Sequence, residues 1–145
     1  MADFVFPKQE SAGAAMTERE RTETRIAAAR DFLSGFRLCL DLLKLKRIER
    51  RRAEDEEDPC GCEDVLMGNE AFWRARMEDI AQTIASLRNG REKLVLYHRY
   101  IRGESVERAA TALGISRRTA YRAVHSGLNI IGILLERRER PFGDE

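Results

Sequence analysis

Apolar side chains recur at helical spacing over most of the chain, and no stretch alternates apolar and polar residues for long enough to predict a strand. Thr17 and Glu20 have the spacing of a capping box, which predicts that a helix begins there. From that point to about Arg52, apolar positions follow one another at steps of three and four, as in a heptad repeat: Ile26, Ala29, Leu33, Phe36, Leu40 and Leu43. We predict one long helix that packs on the C-terminal half of the chain. Its stripe also offers candidate residues for joining a second copy: Ile26, Leu33, Phe36, Leu40 and Leu43.

The rest of the N-terminal part divides at changes in this pattern. Residues 1–16 show no periodicity and predict a mobile tail. A run of acids followed by Pro59 and Gly61 predicts an exposed acidic loop over residues 54–69. A second helix is predicted over residues 70–88, and Asn89-Gly90 is its stop signal. The expected fold is therefore all-α, with a helical packing and oligomerisation region over residues 17–88.

Breakers and caps in residues 90–140 have the spacing of a helix–turn–helix domain. Ser105 is placed to cap one short helix and Ser116 to cap the next. Gly114 stands between them, where the turn needs a residue that tolerates positive φ. Ala110 supplies the small side chain that two crossing helices need. We therefore predict that residues 90–140 form a helix–turn–helix DNA-binding domain, packed with the two preceding helices.

The second helix of this motif presents a basic and aromatic outer face. Guanidinium groups and a phenol hydroxyl suit base edges and phosphates in a major groove, and free N–H groups at the start of the helix suit a phosphate oxygen. Arginines before the turn are candidates for phosphate contacts that set the register. The predicted DNA-binding residues are Ser116, Arg117, Arg118, Thr119, Tyr121, Arg122 and His125, with Arg99, Arg102 and Arg108.

Residues 91–122 resemble the helix–turn–helix of sigma factor region four. They are still more similar to phage late-gene transcription regulators of the ArpU/RinA type, through the segment from Leu94 to Gly103 and the pattern Ser-Arg-Arg-x-x-Tyr-Arg that starts at Ser116. The resemblance extends over most of the chain. It implies a phage or prophage activator of late or packaging genes, acting in the cytoplasm of the host bacterium with host RNA polymerase as a possible partner. It also implies that Arg117, Arg118, Tyr121 and Arg122 contact DNA.

The charge composition of the chain is compatible with a DNA partner, and its hydropathy predicts no membrane-spanning segment. The chain has 145 residues and a formal net charge of +1, but residues 91–140 hold eleven basic and five acidic residues. The potential of one face, and not the total charge, steers a polyanion. Residues 44–52 carry six bases against one acid, and this segment would either touch the DNA backbone or form the solvated end of the helix. No signal peptide or apolar run long enough for a bilayer is present, which predicts a cytoplasmic protein without a membrane partner.

No pattern predicts a catalytic site, a cofactor or a metal. Cys60 and Cys62 are separated by one residue, whereas structural zinc sites usually place two to four residues between paired cysteines. We find no phosphate-binding glycine loop and no nucleophile with a supporting base. The chain is therefore expected not to be an enzyme.

The leading hypothesis is a sequence-specific transcription regulator that binds double-stranded DNA as a dimer or larger homo-oligomer. Three alternatives stay open. The protein could be a small terminase-like packaging protein, a sigma-like adaptor that binds RNA polymerase, or a helical interaction protein with a decayed motif.

Overall fold

The computed structural model describes residues 16–55 and 62–139, and this part of the chain contains helices and no strand. The helices are α1 (Glu18–Asp55), α2 (Cys62–Ala85), α3 (Gly90–Leu96), α4 (Val106–Leu113) and α5 (Arg117–Glu139), with a π-helical turn at Tyr97–Ile101. The all-α prediction is confirmed. The predicted tail, apart from Met16, lies outside the described residues, as do residues 56–61 of the predicted acidic loop.

Helix α1 begins at the predicted capping box. The Glu20 backbone N–H donates to Thr17 Oγ1 at 3.1 Å, and the Thr17 N–H donates to a Glu20 carboxylate oxygen at 3.4 Å. Each contact satisfies an N–H group that the first turn of a helix would otherwise leave without a partner.

The predicted loop over residues 54–69 is too long. Helix α1 continues through Asp55, and α2 begins at Cys62 instead of near residue 70. Pro59, the strongest helix breaker of the segment, precedes Cys62. No proline occurs in residues 62–85, and a helix tolerates the single glycine there, Gly68, at a cost of about 1 kcal/mol, so the chain can be helical from Cys62.

The main core is built where α1 packs against both α2 and α5. Leu33 of α1, Ile80 of α2, and Leu128 and Ile131 of α5 are all fully buried there. Leu96, at the end of α3, joins the same cluster and is also fully buried. The predicted packing of the N-terminal helix on the C-terminal half is therefore seen in the fold.

The stripe predicted for oligomerisation faces mainly into this core. Ile26 and Leu33 are buried in it, and Phe36 packs against its edge. Leu40 and Leu43 are half-buried. Three other apolar side chains of α1 lie outside this core and are exposed: Leu38, Leu45 and Ile48.

Three polar contacts hold the C-terminal end of α5 against the other long helices. Arg25 Nε of α1 lies 2.9 Å from a Glu136 carboxylate oxygen. Arg138 donates to Asp79 at 3.2 Å and to the Thr83 hydroxyl at 3.0 Å, both on α2.

Within the described ranges, no helix is long and apolar enough to cross a membrane.

Candidate nucleic-acid interface

The turn between α4 and α5 has the geometry that its sequence predicts. Gly114 adopts the left-handed conformation, with φ 69° and ψ 31°. The Ile115 N–H donates to the Ala110 carbonyl at 3.0 Å, which closes the end of α4. At the other end of α4, Ser105 Oγ accepts from the Arg108 N–H at 3.1 Å. Helix α4 is thus capped at both ends, as predicted.

Small side chains let α5 cross α4 closely. Ala120 packs with Val106 and Ala110 of α4, and Ala123 packs with Ala109 and with Val95 of α3. These alanines are almost wholly buried. Because the inner face of α5 is occupied in this way, its opposite face is directed to solvent.

Helix α5 also begins at its predicted cap. Ser116 Oγ accepts from the Thr119 N–H at 3.1 Å, and the Ser116 hydroxyl donates to Thr119 Oγ1 at 2.8 Å. Of the residues predicted to bind DNA, these two hold the start of the helix. Other N–H groups of the first turn stay available for an anion, since a capping side chain satisfies only one of them.

The outer face of α5 brings together five of the predicted DNA-binding residues. Arg117, Arg118, Tyr121, Arg122 and His125 are all exposed and line one shallow depression. We call this surface the recognition face. It is basic and partly aromatic, and no other helix of the described chain covers it.

Arg99 borders the same region from the π-helical turn. It lines a second depression together with Tyr121, between α1, the π-helical turn, α4 and α5. Its guanidinium carbon lies 5.5 Å from the centre of the Tyr100 ring, and Tyr100 is buried. A π-helical turn adds a residue to the regular helical ladder and so changes the direction of the side chains around it.

Arg102 and Arg108 are not among the residues that line the recognition face. Arg102 Nε lies 3.2 Å from a Glu104 carboxylate oxygen, and His98 Nδ1 lies 2.7 Å from the same oxygen. The hydrogen bond with His98, together with the charges of Arg102 and Arg108, lowers the pKa of Glu104. The structure therefore places these two arginines around Glu104, at the start of α4.

Glu107 is a residue of the site that sequence reasoning did not identify. The Tyr121 hydroxyl donates to its carboxylate, and Arg117 Nε lies 3.9 Å from the same oxygen. The hydrogen bond from Tyr121 lowers the pKa of Glu107, and the same bond raises the pKa of Tyr121. Glu107 and Tyr121 are 14 residues apart on two crossing helices, so no short-range pattern pairs them.

The described residues hold no group of three or more His, Cys, Asp or Glu side chains that could bind a metal ion. Cys39 is a free thiol in the interior, and burial raises its pKa. Cys60 lies outside the described residues.

Comparison with known proteins identifies the same part of the chain. Residues 88–126 match a family model described as a Homeodomain-like domain, which supports a helix–turn–helix DNA-binding domain. Neither the comparison with curated proteins nor that with solved structures gave a match. The matched segment runs from just before α3 to the middle of α5 and so includes the turn and the recognition face.

Proposed function

We propose that this protein is a sequence-specific transcription regulator that inserts the N-terminal half of α5 into the major groove of DNA. One observation carries the proposal: five side chains of types that can bind bases and phosphates line one surface on the second helix of a capped helix–turn–helix. An α-helix fits the major groove, where arginine recognises guanine through two hydrogen bonds. Arg99 lines the same depression as Tyr121, and in this proposal it contacts the adjoining phosphates.

A single helix–turn–helix contacts little DNA, so two copies on two half-sites are proposed to supply useful affinity. The similarity of the Ser116–Arg122 segment to ArpU/RinA-type regulators supports a finer proposal. In this proposal the protein activates late genes of a phage or prophage, inside the bacterial host and alongside its RNA polymerase.

The test is selection of bound sequences from a random duplex library, followed by fluorescence anisotropy with the full chain. We expect a preferred sequence and an affinity that falls steeply as salt rises, because arginines that neutralise phosphates release condensed counterions. Arg118→Ala and Arg122→Ala should each weaken specific binding. At least one should lose discrimination worth about 1–3 kcal/mol, the value of a bidentate base contact.

Arg19→Ala is the matched control, because Arg19 is an exposed arginine at the start of α1, with 89% of its side chain accessible. It removes the same charge from a distant surface and should bind as the unchanged protein does. Binding without sequence preference, or binding that is insensitive to salt, would contradict the proposal.

A further inference from the structure

Glu107 is the one acid among the described residues that line the recognition face and the adjoining depression. Five arginines line these two surfaces: Arg30, Arg99, Arg117, Arg118 and Arg122. About half of its side chain is exposed, at 46%. In the proposed complex with DNA, phosphate oxygens of the duplex would approach this carboxylate.

The two groups that Glu107 contacts, a hydroxyl and a guanidinium, are of the kind that bind a DNA phosphate. Its carboxylate accepts from the Tyr121 hydroxyl and attracts Arg117, and Arg99 is close enough to lower its pKa further. A duplex that offers only its backbone needs the Tyr121 hydroxyl and Arg117 for its phosphates, and so brings a phosphate close to the Glu107 carboxylate. In the proposed specific complex these two groups turn to base edges instead, so the repulsion by Glu107 acts mainly on the non-specific complex.

We propose that Glu107 is a specificity-determining residue that lowers the affinity of the recognition face for non-specific DNA more than its affinity for the preferred sequence. The inference rests on the proposed function, since it concerns the same DNA-binding surface. Its effect is a larger ratio of specific to non-specific affinity, and this ratio decides which site is occupied among the many competing sites of a genome.

The test compares Glu107→Gln with the unchanged full-length protein on two duplexes, the selected sequence and a scrambled one of equal length. Glutamine keeps an oxygen that can accept from the Tyr121 hydroxyl but removes the charge. Because one screened charge is involved, we expect affinity for the scrambled duplex to rise about threefold to fivefold. Affinity for the selected duplex should rise less, so the specificity ratio should fall.

Two further variants separate charge from positioning. Glu23→Gln removes an exposed carboxylate from α1, with 67% of its side chain accessible, and should leave the specificity ratio unchanged. Tyr121→Phe removes the hydroxyl that Glu107 holds but keeps the charge, and should not increase binding to the scrambled duplex.

The possible results distinguish a failure of the Glu107 proposal from a failure of the proposed function. If the unchanged protein prefers one sequence but Glu107→Gln binds the scrambled duplex no more tightly than Glu23→Gln does, the inference is overturned and the proposed function stands. If the unchanged protein shows no sequence preference, both are overturned. A purely structural Glu107 would instead make Glu107→Gln and Tyr121→Phe weaken both duplexes alike.

Discussion

At Gly132, α5 lies in close contact with the backbone of α1. A methyl group added at this position would stand 2.4 Å from the Arg25 carbonyl oxygen and 2.5 Å from the Arg25 Cβ. Both are atoms of, or attached directly to, the α1 backbone, so no side-chain rotation can relieve the contact. The two helices can touch here only because residue 132 lacks a side chain.

We expect Gly132→Ala to lower the free energy of unfolding by about 1–3 kcal/mol, as overpacking in a core does. Urea denaturation followed by circular dichroism measures the change. Gly90→Ala is the matched control, because no heavy atom lies within 4 Å of its added methyl group. That variant should be as stable as the unchanged protein or slightly more so. Equal stability of the two variants would show that α1 and α5 are not in tight contact at Gly132.

Gly114 and Gly132 differ in whether the sequence predicts the role of the residue. The role of Gly114 was predicted, because a turn that needs positive φ is set by its immediate neighbours. The role of Gly132 was not, because it depends on Arg25, more than a hundred residues away along the chain.

Helix α1 has two apolar faces with different surroundings. Leu33 is fully buried in the chain's own core, whereas Leu45 lies outside that core and is 50% exposed. The heptad spacing predicted the first face but did not distinguish packing within one chain from packing between two. A second copy that joins along α1 must use the side chains that the core leaves accessible.

We predict that Leu45→Asp dissociates the proposed oligomer while the helical content stays unchanged. Leu33→Asp should instead unfold the chain or lower its stability by several kcal/mol, because it would bury a charge without a partner. Sedimentation velocity gives the oligomeric state, and circular dichroism reports the fold. An unchanged oligomer of well-folded Leu45→Asp would exclude this face of α1 from the interface.

At the scale of the whole molecule, one core extends across the boundary between the two predicted regions, 17–88 and 90–140. Leu96 and Ile131 from the C-terminal region are buried in the same cluster as Leu33 and Ile80 from the N-terminal region. By contrast, the clusters between α3, α4 and α5 are built mostly of alanine and valine. Small side chains bury little apolar area and so contribute little stability.

A fragment of residues 88–139 lacks the helices that cover Leu96, Leu128 and Ile131, and would expose these side chains to water. We therefore expect that it does not unfold cooperatively. Thermal denaturation of the fragment and of the full chain tests this, with helix content followed by circular dichroism at 222 nm. The full chain should show one sharp transition and the fragment a broad one. A sharp transition of the isolated fragment would show that the helix–turn–helix folds without α1 and α2.

The sequence by itself predicted four local features. These are the start of α1, the caps of α4 and α5, the turn at Gly114 and the basic outer face of α5. Each depends on residues within one or two helical turns, where spacing and side-chain type decide the outcome. The tertiary structure alone decided that Glu107 meets Tyr121, that α1 rests against Gly132, and which face of α1 remains accessible. These contacts join residues that are distant in sequence, and their positions follow from how the helices pack around a shared core, which periodicity within one helix does not determine.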